Sequence, residues 1–203
     1  MKRMAEHSSD VAFTDTVKAI QQRKGSRSAY ARMEDGGGWE RSIDAELKAQ
    51  IEAQTSVFLA TANAQGQPYI QHRGGPAGFL RVLDEHTIGF VDFAGNRQYI
   101  TQGNLEENPK AQLFLIDYTQ RRRIKLWGTA QAVEGDEALL RRLMPAGYAA
   151  RPEQALLFTV TAWDVNCPQH IPQRFEAADV QAAIALRDRR IESLEAEVAR
   201  LRA

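Results

Sequence analysis

Between residues 56 and 165 the sequence breaks into short runs of β-forming residues set off by turns. The runs fall at 56–61, 69–73, 79–83, 87–92, 111–117, 123–133 and 155–165. A parallel α/β sheet needs a helix after nearly every strand, and here most of them are missing. Helical patterns are confined to 43–54, where Ser42 is the expected N-cap, to 97–106, closed by Asn108-Pro109, and to 136–143. Six or seven closely spaced strands with a few inserted helices predict a mainly β fold. It is expected to be an antiparallel barrel, closed or partly closed, with flanking helices.

The expected domain plan has three zones: an N-terminal arm at 1–39, the barrel at 40–175 and a C-terminal helix at 176–203. The arm is polar, with a short helix near 11–21 and a loop at 34–38 that nothing local would order. It reads either as a segment that wraps a partner subunit or covers a site, or as a frayed terminus. In the last zone Ile184, Ile191, Leu194, Val198 and Leu201 occupy heptad a and d positions, with Arg187 interrupting one d. That narrow seam in a charged helix reads as coiled-coil-like self-pairing; the alternative is a helix folded back on its own barrel.

Charge narrows the classes of function. The chain has 203 residues, with 26 basic and 26 acidic ones. Such balance argues against general nucleic-acid or anionic-membrane binding, although Arg121-Arg122-Arg123 is a local basic cluster. No run approaches the ~20 apolar residues of a membrane span, and no apolar segment follows the basic start. Cys167 is the single cysteine, so no intramolecular disulfide can form, which fits a reducing compartment. The chain therefore reads as soluble and cytoplasmic.

No P-loop, dinucleotide-binding glycine fingerprint, nucleophile elbow or zinc-protease motif is present. The informative stretch is Phe90 through Tyr99, where a strand ends, Gly95 permits a tight turn and a helix is expected to open on Asn96. Free N–H groups at a helix start favour an anion, and Arg97 in the first turn would add a forked donor. An exposed, merely solvated Arg97 is the plainer reading. Gln71-His72-Arg73-Gly74-Gly75 closes a strand with a donor-rich tip. Arg123 and Lys125 share one face of their strand and would join an anion pocket only if the barrel sets that face beside Arg73 and Arg97.

The order of helix, hairpin, Gly95-Asn96-Arg97-Gln98 turn, helix ending in Glu107-Asn108-Pro109, and strand ending in Trp127-Gly128 resembles the FMN-binding split barrel of the pyridoxamine 5'-phosphate oxidase family. The resemblance spans roughly residues 43–133. It implies FMN as cofactor, a homodimer with flavin at its interface, and phosphate contacts from Asn96 and Arg97. Gln98 stands where the family has lysine, and Arg73 is the expected substitute for the lost charge. Arg123 stands where the oxidase has a glutamine near the flavin. The segment Cys167-Pro168-Gln169-His170-Ile171 departs from the oxidase and resembles a subgroup of predicted flavin-nucleotide-binding proteins, so the vitamin B6 substrate does not carry over.

Together the residues and the resemblance give a candidate cofactor set of Gln71, His72, Arg73, Asn96, Arg97, Gln98, Arg123, Lys125, Gln169 and His170. His170 is the catalytic candidate and no metal is expected. Cys167 and His170 stand three apart, which would suit a metal pair or an activated thiol, but the chain has too few further ligands for a metal. Trp127 and Trp163 are expected to be core aromatics. The expected function is an FMN-dependent oxidoreductase acting on an unidentified small molecule. Alternatives are a non-catalytic flavin carrier or sensor, and a haem-binding split barrel with His170 or His72 as axial ligand.

Overall fold

The computed structural model describes residues 7–166 and 168–202, in two compact units. The larger runs to Ile116 and resumes from Arg123 to the end of the last strand; the smaller comprises Asp117–Arg122 and residues from 168 onward.

In the larger unit, helices α1 (Asp15–Lys24), α2 (Arg27–Asp35) and α3 (Ala45–Glu52) precede strands β1 (Ser56–Ala62), β2 (Pro68–Gly74), β3 (Arg81–Val82) and β4 (Thr87–Phe93). Helix α4 (Ile100–Glu107), strands β5 (Lys110–Asp117) and β6 (Arg122–Val133), helix α5 (Glu137–Leu143) and strand β7 (Pro152–Asn166) follow. The strands form one seven-stranded sheet in the order β2-β1-β5-β6-β7-β4-β3. The β1–β2, β1–β5, β3–β4, β4–β7 and β6–β7 pairings are antiparallel. The mainly β, seven-stranded antiparallel expectation is met.

Period-2 burial accounts for the core. In β1, Val57, Leu59 and Thr61 point inward, and α3 adds Leu47 and Ile51 over them. Strand β4 is different, being buried over five consecutive residues from Ile88 to Asp92. Its second face is covered by α5, whose Leu140 and Leu143 pack with Val91 and Ala155. Near the middle of β6 the register with β7 shifts between Trp127 and Gly128. A Cβ on Gly128 would lie 1.9 Å from the Thr159 carbonyl oxygen, so only glycine lets the two backbones meet there.

Four local expectations are corrected. Helix α3 opens at Asp44, not Ser42, because the Asp44 carboxylate accepts from the Leu47 N–H at 2.7 Å. Only Arg81–Val82 of the run 79–83 is strand, since the Gly78 turn, with its φ of +84°, drops Phe79 and Leu80 directly into the core. Helix α4 starts at Ile100, three residues late, because Arg97 and Tyr99 hold left-handed φ values of 55° and 54°. The 11–21 helix runs Asp15–Lys24 and a second helix follows it, so the segment at 34–38 is ordered after all. Glu34 is its anchor: buried, it pairs with Arg27 and accepts from Ser9 Oγ at 3.0 Å. Phe13 and Tyr30 meet edge-to-face, Phe13 meets Trp39 likewise, and Trp39 stacks on Trp127 at 4.5 Å. Trp127 is thus half-buried beneath Trp39, while Trp163 packs against the main core and donates to Ser42 O at 2.8 Å.

In the smaller unit, Thr119 Oγ1 donates to Arg174 O, Gln173 Nε2 donates to Thr119 O, and the Arg174 guanidinium lies 4.5 Å from the Tyr118 ring centre. Helix α6 (Ala177–Arg202) has 26 residues and no buried side chain. No described helix is long and apolar enough to cross a membrane.

Candidate functional site

Alternation along β2 puts Tyr69, Gln71 and Arg73 on its more covered face and Ile70 and His72 on the other. The covered face borders a cavity of about 250 Å³. The end of β4 contributes Asp92, the turn after it Asn96, Arg97 and Gln98, and the start of α4 closes one side.

Arg73 and Asp92 form the fixed part of this wall. The guanidinium donates to both carboxylate oxygens of Asp92, at 2.7 and 3.3 Å, and Gln154 Nε2 donates to the same carboxylate at 3.2 Å. Burial pushes the Asp92 carboxyl above the usual aspartate range, and Arg73 opposes that shift. Arg73 Nε is itself buried and has no hydrogen-bond partner among the described residues. Beside this pair, Thr101 Oγ1 donates to Gln71 Oε1 at 2.8 Å, fixing the amide's orientation.

The turn side is looser. Gln98 N and Asn96 Oδ1 are 3.5 Å apart, and Asn96 Nδ2 and Gln98 Oε1 are 3.4 Å apart. Arg97 is exposed and makes no ion pair among the described residues. It precedes α4 rather than lying in its first turn, where the sequence had placed it. No side chain among the described residues caps α4, whose first residues Ile100, Thr101 and Gln102 line the cavity. Tyr99 donates to Glu153 at 2.8 Å, and this bond raises the phenol's pKa.

Five of the ten expected site residues therefore share one cavity: Gln71, Arg73, Asn96, Arg97 and Gln98. His72 is on the opposite face of β2, hydrogen-bonded to Ser56 Oγ at 2.8 Å and edge-on to Phe58. Lys125 borders a second cavity, of about 700 Å³, walled by Trp39, Trp127 and Trp163, with its ammonium 5.7 Å from the Trp127 ring centre. Asp164, opposite Lys125 in register, has its carboxyl raised by burial against that lysine. Arg123 lines neither cavity, and its Nε is buried without a hydrogen-bond partner among the described residues. Gln169 and His170 belong to the smaller unit, exposed in a turn where His170 has a φ of 66°. Cys167 lies outside the described residues.

Sequence reasoning missed Asp92, Thr101, Glu153 and Gln154. Asp92 carried a signal, since a charge within Phe90-Val91-Asp92-Phe93 sits in a run otherwise fit for burial and so needs a partner. The others have no such local mark.

Residues 43–167, more than half of the chain, match the family model for pyridoxamine 5'-phosphate oxidase. The chain belongs to that family, and its sheet is the family's split barrel. A pyridoxine/pyridoxamine 5'-phosphate oxidase of Crocosphaera subtropica is 31% identical over 101 residues, covering 50% of this chain and 44% of that protein. The match thus spans less than half of the relative's length. Among solved structures, Group A Streptococcus HupZ superposes with a TM-score of 0.50 at 20% identity, over 66% of this chain and all of that one, a likeness of fold. An FMN-binding protein of Syntrophomonas wolfei is more distant, with a TM-score of 0.45 at 14% identity over 72% of this chain and 97% of that one.

Proposed function

We propose that this chain binds FMN, with the phosphate in the cavity between β2 and α4, and acts as a homodimeric oxidoreductase on a small organic molecule. The observation that carries the reading is the meeting of Arg73 and Arg97, from elements far apart in sequence, at one cavity beside an uncapped helix start.

The donor set fits a phosphate and a polyhydroxylated chain. The unpartnered Arg73 Nε, the Arg97 guanidinium and the first N–H groups of α4 suit phosphate oxygens. Gln71, Asn96 and Gln98 supply neutral donors and acceptors. Because Asp92 already takes most of Arg73's charge, Arg97 and the helix start would carry most of the electrostatic attraction. Bound FMN would supply hydride and electron transfer. Arg123 and Lys125 remain our candidates for positive charge near the ring, Gln169 and His170 for contacts to the ring edge or substrate, and His170 for catalysis.

The visible spectrum of the purified protein, with the released cofactor identified by mass, tests the reading. Flavin bands and a mass matching FMN are expected. A colourless preparation that ignores added FMN would overturn it, and a Soret band would replace flavin with haem. Bleaching by NAD(P)H or by a substrate then separates an enzyme from a flavin carrier.

A further inference from the structure

Apart from Leu186, helix α6 carries its large apolar residues as a seam that no other described residue buries: exposures run from 41% at Leu194 to 76% at Leu201. The a positions are Ala177, Ile184, Ile191 and Val198; the d positions are Val180, Arg187, Leu194 and Leu201. From residue 184 onward the a residues are all β-branched, and the last two d residues are leucine. That distribution favours two parallel strands over three or four.

The flanking charges choose the orientation. In a parallel pair, a g residue faces the e residue five positions later on the other helix. Arg190 then meets Glu195 and Glu197 meets Arg202, each contact occurring twice by symmetry. Antiparallel pairing that keeps the same seam retains an Arg190–Glu197 match but sets Asp188 against Glu195, acid to acid, twice. Arg187 fixes the register. In register the two Arg187 side chains meet across the seam, with Asp188 at the adjoining e position of each helix beside them, whereas a shift by one heptad sets each Arg187 against apolar Val180 or Leu194.

We infer that α6 pairs with α6 of a second copy of this chain as a parallel, in-register, two-stranded coiled coil, held in register by Arg187 and Asp188. The inference rests on the homodimer reading but not on FMN.

The test uses the full chain with Cys167→Ser as background. Leu201→Cys places a thiol at the last d position, so mild oxidation should cross-link most chains into dimers on a non-reducing gel. Ala196→Cys, at an outward f position, should cross-link far less. Glu195→Arg should cut the Leu201→Cys cross-link several-fold, and adding Arg190→Glu should restore it. Absence of the Leu201→Cys cross-link would overturn the inference, as would equal cross-linking through Ala196→Cys. So would a cross-link between Ile184→Cys and Leu201→Cys chains that exceeds either alone and strengthens with Glu195→Arg, the antiparallel outcome. Flavin content and circular dichroism of the same samples report separately on the FMN reading and on folding. A yellow, folded protein that fails to cross-link loses only the coiled coil, and a cross-linked colourless one loses only the FMN site.

Discussion

Arg73 donates to both oxygens of Asp92, while Arg97, across the same cavity, makes no ion pair among the described residues. Truncating Arg97 should therefore leave the fold intact and remove a charge-assisted phosphate contact of about 1.5–3 kcal/mol, weakening FMN binding roughly ten- to hundredfold. Titration of the Arg97→Ala apoprotein with FMN by flavin fluorescence checks this; unchanged affinity would reject the phosphate assignment. Arg73→Ala should act on stability as well as on the phosphate. It strands a nearly buried carboxylate, at a cost of about 3 kcal/mol near neutral pH. Asp92 already has a pKa above an ordinary aspartate's 3.8, so the native state holds its proton more tightly than the unfolded chain does. The stability this provides is complete below 3.8 and is lost as pH rises through the native value. Removing Arg73 raises that native value further. The deficit of Arg73→Ala should thus shrink on acidification, as chemical denaturation at several pH values will show. That Arg73, Asn96 and Arg97 belong together was legible in the sequence because each is a polar side chain close to a glycine turn, and the structure sets them around one cavity. Asp92's role was not, since its partner, Arg73, lies on a strand that reaches it only through the fold.

Strands β6 and β7 are joined at their tightest point by Gly128, whose backbone sits against the Thr159 carbonyl. Gly128→Ala should force these strands apart and cost about 3 kcal/mol, the upper end of ordinary overpacking. A lower urea midpoint with an unchanged slope would confirm it. Element positions were readable wherever alternation was strong, as at β1, β5, β6 and β7. Boundaries failed where a backbone conformation overruled composition. Residues 97–99 are acceptable helix formers, yet left-handed Arg97 and Tyr99 delay α4 to Ile100. Phe79 and Leu80 look like strand but are turn residues pressed into the core. Helix α2 was overlooked because its stabilisation is tertiary: a polar segment holds its order through buried Glu34, a contact no local pattern displays.

At the scale of the molecule, the first helices are fastened to the sheet by aromatic contact, with Trp39 lying flat on Trp127 and Phe13 against Trp39. Trp39→Ala should release α1 and α2 into local opening while the sheet stays closed, the ring pair alone contributing about 1 kcal/mol. Amide exchange that quickens in α1 and α2 but not in β1 or β4 is the expected pattern. The three-zone plan of arm, barrel and tail stands as a proposal for limited proteolysis to examine. One further consequence comes from β7, which pairs along β6 on one side and β4 on the other. Strand β4 waits for a partner that begins at Pro152, so most of this sheet's closure depends on sequence-distant contacts. During synthesis, β4 and β6 have exposed hydrogen-bonding edges until the ribosome releases β7, and such edges are templates for wrong pairing. Refolding should accordingly be slow for the chain's size. A translation pause before Pro152 would yield a nascent chain that holds 19 of the 25 buried apolar residues described and still needs a chaperone.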